Sequence, residues 1–197
     1  MRFNLVFKMK SIFFLKNNFS VQLLYGLFLL LLTSGNVFSQ INLNEMNGIQ
    51  LDYTIKETEQ KIGKKFKLKK EKNGYSGYNL QASVVYKGVK YQLGFSTLED
   101  ESNLNSYYLE SISTLSKKAK TDLEISIGST LKEVQDAYKI YEGMENYSVQ
   151  QGPETLDPED KIVEYFQIYD SESGHLLIFS FINNRVSKIE IESVDSL

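Results

Sequence analysis

A short segment of this chain occurs twice, and this repeat limits its fold more than any other feature. Residues 49–63 read IQLDYTIKETEQKIG, and residues 125–139 read ISIGSTLKEVQDAYK. With a shift of 76 positions, three aliphatic positions, a threonine, a lysine and a glutamate coincide. Because repeated segments fold as repeated structural units, the sequence predicts two copies of one unit.

Each copy has the sequence signature of a helix start. Thr54 is followed by Glu57, and Thr130 by Glu133. This is the spacing of a capping box, in which the threonine hydroxyl accepts from the third helical amide and the glutamate accepts from the threonine amide. Apolar residues then recur at helical spacing. The expected helices cover residues 54–63 and 130–142.

After each helix the hydrophobic period changes to two, which is typical of β-strands. Asn183-Asn184 suits a hairpin tip, because asparagine tolerates positive φ. The sequence therefore predicts an α+β fold of two tandem repeats, each a short capped helix followed by an antiparallel sheet of about four strands. We expect the two sheets to join edge to edge, with the helices on one side. The expected strands lie around 66–68, at 80–86, 89–95 and 107–113, around 147–149, and at 162–169, 175–181 and 186–193.

The first 39 residues resemble a secretory signal peptide. They contain four basic residues, no acid and an apolar run over residues 21–32, which is shorter than the roughly 20 residues of a membrane-spanning helix. Cleavage is expected after Ser39, an uncleaved anchor is the alternative, and Met9 is an alternative start to Met1. The expected organisation is a signal peptide over 1–39 and two helix-plus-sheet repeats over 40–122 and 123–197, packed as one compact domain.

Cysteine is absent from the chain. Lipid anchoring through an amino-terminal cysteine and stabilisation by disulfides are therefore both excluded. The expected location is outside the cytoplasm, in the periplasm or the extracellular space, with no transmembrane span after signal cleavage.

The charge differs between the two halves. Residues 40–98 hold ten lysines and five acids, a net of +5, whereas residues 99–197 hold eight basic residues and 20 acids, a net of −12. This polarity can orient a charged partner. The acidic balance argues against nucleic acid, since binding to phosphates requires a cationic surface.

The second copy, with Ile125-x-Ile127-Gly128-Ser129-Thr130-x-x-Glu133-Val134 and a sheet ending in Phe181-x-Asn183-Asn184-x-Val186, resembles a known module. It is similar to the small outer-membrane assembly lipoproteins of the BamE (SmpA/OmlA) type, and the β-lactamase inhibitor proteins carry two such modules in tandem. The chain departs from these families at Tyr138-Lys139-Ile140-Tyr141, where they often have Leu-Gly-x-Pro, and at Asp52, where the second copy has Gly128. The resemblance implies a similar fold only. Function depends on the residues of a site, so the resemblance does not by itself imply a function.

Little in the chain points to catalysis. Its one histidine, His175, follows a turn and is predicted to be a surface residue. A glycine-rich phosphate loop and a helical pair of metal-binding histidines are both missing from the sequence. The acidic loop around Asp157 lacks the spacing of an EF-hand calcium site. We therefore expect a non-enzymatic protein with no catalytic, cofactor-binding or metal-binding residues.

A lysine run over residues 61–72 flanks Phe66 and Leu68. It favours an edge strand whose lysines prevent sheet-to-sheet aggregation. A patch for anionic lipid or polysaccharide is the alternative.

The expected function is that of an exported protein-binding module of the bacterial cell envelope, with another envelope or secreted protein as partner. The open sheet face and the loops at 97–106 and 150–161 are the predicted contact surfaces. The alternatives are a binder of envelope glycan or lipid in the groove between the repeats and, third, a hydrolase. Exposed tyrosines are common interface anchors, and the candidate partner-binding residues are Tyr75, Tyr78, Glu99, Asp100, Glu101 and Asp157.

Overall fold

A computed structural model describes residues 39–72, 78–97, 103–145, 147–154 and 163–194. All of them belong to one compact unit. Apart from Ser39, the predicted signal peptide lies outside the described residues.

The described chain is a mixed α+β structure, dominated by strands, so this fold class is confirmed. Short 3-10 turns lie at Leu104–Ser106 and Lys139–Tyr141. The helices and strands, in chain order, are β1 (Ser39–Ile41), β2 (Glu45–Met46), β3 (Ile49–Gln50), α1 (Ile55–Ile62), β4 (Lys69–Lys72), β5 (Tyr78–Tyr86), β6 (Val89–Ser96), β7 (Tyr108–Thr114), β8 (Ala119–Thr121), α2 (Leu131–Tyr138), β9 (Tyr147–Glu154), β10 (Val163–Asp170), β11 (His175–Ile182) and β12 (Arg185–Ser193).

Eight of these strands form one sheet in the order β4-β5-β6-β7-β12-β11-β10-β9. Every neighbouring pair in it is antiparallel. The two central strands, β7 and β12, are the last strands that the two halves contribute to this sheet, and they pair from Ile189 opposite Thr114 to Glu192 opposite Ser111. This sheet is larger than the sheet of about four strands predicted for each half, because the last strands pair and leave only β4 and β9 at the edges.

A second, smaller sheet has the order β3-β2-β1-β8. Its strands are two or three residues long, and β1 pairs in parallel with β8, from Ser39 opposite Ala119 to Ile41 opposite Thr121. Neither β1 nor β8 was predicted as a strand, since so short a strand shows no alternation of apolar and polar residues.

Both capping boxes are present, which confirms the two predicted helix starts. The hydroxyls of Thr54 and Thr130 each accept from the amide three residues ahead, at 3.3 Å. The Glu57 carboxylate accepts from the Thr54 amide at 2.8 Å, and that of Glu133 from the Thr130 amide at 2.6 Å. α1 ends at Gly63, whose φ of 74° is left-handed. α2 ends at Tyr138 and continues as the 3-10 turn, so the predicted helix over 130–142 was too long.

Equivalent backbone hydrogen bonds join each helix start to the last large-sheet strand of its own half. The residue two before the capping threonine donates to that strand, and the strand donates back to the residue one before the threonine. The bonds are Asp52 N to Leu109 O (2.9 Å), Leu109 N to Tyr53 O (2.8 Å), Gly128 N to Val186 O (2.8 Å) and Val186 N to Ser129 O (2.8 Å). Asp52 and Gly128 both have positive φ, 63° and 101°.

The core covers one face of the large sheet. Both helices and the small sheet contribute to the same apolar cluster, through Ile55 of α1, Val134 of α2 and Met46 of β2. From α2, the Tyr138 ring lies 6.5 Å from the Phe166 ring and 5.3 Å from the Phe179 ring, centre to centre. All of these elements therefore lie on the core side of the sheet.

Two strand boundaries differ from the predictions. The predicted strand around Phe66 and Leu68 begins only at Lys69, because Phe66 packs instead on Phe95, with 6.0 Å between ring centres. The predicted loop at 150–161 is a strand as far as Glu154. Only the end of the lysine run, Lys69–Lys72, forms an edge strand, because Lys61 belongs to α1 and residues 63–68 are irregular.

Candidate functional site

Most of the predicted partner-binding residues cannot be placed. Tyr75, Glu99, Asp100, Glu101 and Asp157 lie outside the described residues. Tyr78 begins β5, where its backbone pairs with Lys72, and its side chain lies outside the description. Two other surfaces can be built from the structure.

The first surface is the side of the eight-stranded sheet that faces away from the core, here called the open face. Side chains alternate between the two sides of a strand, so the register defines it. Gly94 lies opposite Ser111, which lies opposite Glu192, and Leu176 and Tyr169 follow. The adjacent row across the sheet is Ser83, Gln92, Ser113, Glu190, Ile178, Gln167 and Gln150.

Small residues let neighbouring side chains approach each other on the open face. A Cβ built on Gly94 would lie 2.4 Å from the Ser111 hydroxyl oxygen. A Cβ on Gly152 would lie 3.0 Å from the Tyr165 hydroxyl oxygen, so the tyrosine side chain extends over the glycine. A Cβ at either position would therefore require the neighbouring side chain to move.

One end of the open face has two exposed aliphatic side chains and a pocket. Val85 is 65% exposed and Leu115 is 70% exposed. A pocket of about 200 Å³ lies beside them, lined by Lys90, Gln92, Ser113, Thr114, Leu115 and Ser116. Aliphatic side chains of this size and exposure next to a pocket are suited to contact with another molecule.

The second surface is a cavity of about 130 Å³, here called the junction pocket. It lies between the β1–β2 turn, the residue after β8, the end of α2 and the ends of β9 to β11. The lining residues are Asn42, Leu43, Asn44, Asp122, Tyr138, Tyr141, Tyr147, Asp170 and Leu177. The first four come from the segment predicted as the first repeat, and the rest from the second.

Burial and acidic neighbours disfavour ionisation of two tyrosines of the junction pocket. Burial raises the pKa of Tyr141, and the nearby Asp122, Tyr147 and Asp170 raise it further. The pKa of Tyr147 is also raised, first by desolvation and then by Asp170 and Glu172. Since negative neighbours disfavour a phenolate, these shifts indicate a pocket that disfavours anions.

Tyr138 has a buried hydroxyl without a hydrogen-bond partner among the described residues. The residue is 2% exposed, and burial raises its pKa strongly above the ordinary value. The neighbouring Thr121 hydroxyl opposes that rise, although no hydrogen bond of good geometry joins it to Tyr138. An unpaired buried hydroxyl is unfavourable.

His175 adjoins the junction pocket and is not the surface residue that the sequence predicts. It is 7% exposed. Its Nδ1 lies 2.8 Å from Asn44 Oδ1, and its Nε2 lies 3.1 Å from Asp52 Oδ2. These partners are 131 and 123 residues away in the chain, so a pattern of neighbouring residues could not reveal them.

Asp170 and Asp122 are the two carboxylates of the junction pocket, and they differ in their bonding. The Asp170 oxygens accept from the Glu172 amide at 3.0 Å and from the Ser173 hydroxyl at 2.8 Å, so Asp170 fixes its own turn. Asp122 is solvent-exposed, and no described residue donates to its carboxylate. Two ionisable groups thus converge here, the arrangement that the hydrolase alternative requires, but one of them is occupied by the turn.

Within the described ranges, no group of three or more histidine, aspartate or glutamate side chains has a geometry that could hold a metal ion. None of the helices in that part of the chain is long and apolar enough to cross a membrane.

Comparison with known proteins finds no matching family model, no matching curated protein and no matching solved structure. The resemblance to BamE-type modules and to the β-lactamase inhibitor proteins therefore stays a prediction.

Proposed function

We propose that this chain is an exported, non-enzymatic module that binds another protein through the open face. In this proposal the two halves are copies of one helix-plus-four-strand unit. The equivalent backbone bonds at Asp52 and Gly128 support the duplication, as do the mirrored positions of β4–β7 and β9–β12 in the sheet. Such a pair of units is what the resemblance to tandem modules implies.

One observation carries the proposal: the described helices and the small sheet all pack on the core side. The opposite side of eight strands therefore has no cover from any described element. It presents the exposed Val85, Leu115 and Ile182, with Tyr165 and Tyr169 half-buried among them. Aromatic and aliphatic side chains on a broad sheet surface are typical of protein interfaces.

The charge of the open face indicates the kind of partner. Glu190 and Glu192 project from the central strand β12, and Lys188 on the same strand forms an ion pair with Glu190. A protein surface with charges of both signs around an aliphatic side chain would complement this strand and the pocket beside Leu115, which Lys90 also lines.

Site-specific photocrosslinking in cells tests the proposal. A photoreactive amino acid is placed at Ser83 or Gln167 on the open face, or at Gln60 or Lys132 on the helices. We expect one protein adduct, of the same mass, from the two open-face positions and none from the helices. The same adduct from all four positions, or none from any, would contradict the proposal.

A matched pair of substitutions separates binding from folding. Ile182→Arg changes an exposed isoleucine on the open face, and Ile140→Arg changes a similarly exposed one near α2, with exposures of 48% and 57%. Both variants should keep the wild-type melting temperature, because neither side chain is in the core. Only Ile182→Arg should reduce the adduct.

Export is tested separately. Cell fractionation should place the protein outside the cytoplasm, and amino-terminal sequencing of the mature form should begin at Gln40. A cytoplasmic protein that retains its leader would overturn this part of the proposal and leave the crosslinking result unaffected.

A further inference from the structure

We infer that two copies of this chain pair through β9 in an antiparallel dimer. β9 is an outermost strand of the eight-stranded sheet, and β10 is its one neighbour there. Its outer side, here called the β9 edge, therefore presents backbone N–H and C=O groups to which no described strand is bonded. Such groups are a template for pairing with a strand of another chain.

The two edges of the large sheet differ in charge. At the opposite edge, β4 reads KKEK over Lys69–Lys72, and lysines on an edge strand prevent pairing with a second copy. β9 reads YSVQQGPE, so its first seven residues, 147–153, have no charged side chain. β9 therefore lacks the charges that protect β4, and an identical strand can approach it without repulsion between like charges.

A second copy suits the β9 edge because antiparallel pairing of identical strands is symmetric. The two strands are related by a two-fold axis perpendicular to the sheet, so both copies use the same surface. Once β9 is paired in both copies, the lysine-bearing β4 strands are the edges that remain. Pairing therefore stops at the dimer.

The uncharged run determines the register of the dimer. Residues directly opposite each other in an antiparallel pair lie on the same side of the sheet. With the axis at Gln150, the middle of the run, all seven residues are paired. The facing pairs are then Gln150 with itself, Val149 with Gln151, Ser148 with Gly152, and Tyr147 with Pro153. Glu154 lies beyond the paired run in both copies.

Gln150 is placed to bond to its own copy across the axis. It is exposed, and its Oε1 accepts from Gln167 Nε2 at 3.0 Å. This bond orders the side chain on the open face. A carbonyl oxygen can accept two hydrogen bonds and an amide nitrogen can donate two, so each Gln150 is still able to donate to the Oε1 of the other.

An exposed apolar side chain flanks the β9 edge. Met144 is 47% exposed, and its carbonyl oxygen accepts from the amide of Tyr147, the first residue of β9, at 3.2 Å. In the antiparallel dimer the start of each β9 lies beside the end of the other. Each Met144 is thereby brought next to the second copy, where its burial adds a hydrophobic contribution.

The dimer also enlarges the surface of the proposed function. Because the axis is perpendicular to the sheet, both open faces lie on the same side of the joined sheet. Dimer formation does not require a partner on the open face and is measured on the purified protein alone. Its failure is therefore distinguishable from a failure of partner binding.

Sedimentation equilibrium of the purified protein tests the dimer. The average mass should rise with concentration to twice the mass of the single chain, and no further. The mass of a single chain at every concentration would overturn the inference. An average mass that rises beyond two chains would also overturn it, since it indicates open-ended pairing.

Charge substitutions at the axis test the register. Gln150→Lys and Gln150→Glu each place like charges opposite each other, and each should weaken the dimer at least fivefold. An equimolar mixture of the two should dimerise as well as wild type, because opposite charges then face each other. The matched control is Gln81→Lys, at an exposed position on the open side of β5, which should dimerise as wild type. A dimer unaffected by Gln150→Lys, or a mixture that stays monomeric, would show that β9 does not pair in this way.

Disulfide trapping detects the dimer even where it is weak. The chain has no cysteine, so a single introduced cysteine can form a disulfide only between two chains. Under mild oxidation Gln150→Cys should yield a covalent dimer, and the control Gln81→Cys should yield little. Both positions are exposed, so both variants should keep the wild-type melting temperature. Equal yields from the two variants would indicate random collision and overturn the inference.

Discussion

The Nε2 atom of His175 lies 3.1 Å from a carboxylate oxygen of Asp52, and this contact joins the start of β11 to the turn that precedes α1. The other ring nitrogen, Nδ1, contacts Asn44 in the β1–β2 turn. One buried side chain thereby connects the small sheet, the first helix start and the large sheet.

Replacing His175 by alanine should therefore destabilise the fold. We expect a loss of roughly 1–3 kcal/mol in the free energy of unfolding, because the change removes packing and the polar contacts of both ring nitrogens from a buried site. Urea denaturation measures it. Combined with Asp52→Asn in a double-mutant cycle, the coupling should be below about 1 kcal/mol, since the Asp52 side chain is 62% exposed and water screens the contact. A loss near zero for His175→Ala would show that the imidazole does not hold these elements together.

The two capping threonines should contribute equally to stability. Thr54→Ala and Thr130→Ala each remove a hydroxyl that accepts from a helix amide, at an expected cost of about 1 kcal/mol. Thr→Ser at the same positions keeps the hydroxyl and serves as the control. If both alanine variants unfold at the same urea concentration as wild type, the hydrogen bonds to the threonine hydroxyls do not contribute to stability.

The capping glutamates should make stability depend on pH. Hydrogen bonds from Thr54 lower the pKa of Glu57, and those from Thr130 lower the pKa of Glu133. A carboxylate with a lowered pKa stabilises the folded state above its unfolded pKa, near 4.5, and loses that contribution as the pH falls through the folded pKa. The melting-temperature difference between wild type and Glu57→Gln should hence be largest near pH 6 and shrink towards pH 3. A difference independent of pH would contradict the assignment.

Gly94 should tolerate alanine only if Ser111 changes too. The added Cβ would lie 2.4 Å from the Ser111 hydroxyl oxygen but 3.7 Å from the Ser111 Cβ. Gly94→Ala should cost about 1 kcal/mol, since the serine can rotate away only in part. The double variant Gly94→Ala with Ser111→Ala should recover most of this loss in urea denaturation. Equal stability of the single and double variants would argue against the steric explanation.

Local sequence signals predicted much of the fold. The capping boxes located both helix starts, and Asn183 and Asn184 have the expected positive φ of 52° and 59°. The large-sheet strands from β5 onwards lie within about two residues of the expected ranges, apart from β9, which is longer. These features depend on residues close together in the chain, where periodicity and turn preferences act.

What the sequence did not reveal depends on contacts between distant residues. The pairing of β1 with β8 joins two distant segments of the first half, and the burial of His175 and the junction pocket each bring together segments from opposite halves. No residue close to Asn44 or Asp122 in the sequence indicates that these two residues lie near Tyr138 in the fold. One signal was available for the contact between Asp52 and His175. Asp52 occupies the position where the second copy has Gly128, so a carboxylate stands where a glycine would suffice.

The central pairing of β7 with β12 has a consequence for the order in which the chain can fold during synthesis. β12 is the last described strand to leave the ribosome, and until it does, β7 has hydrogen-bonding groups with no neighbouring strand along one side. An unpaired strand beside a nascent apolar core invites pairing with other chains. A nascent first half must therefore be kept apart from other chains until β12 has been synthesised and can pair with β7.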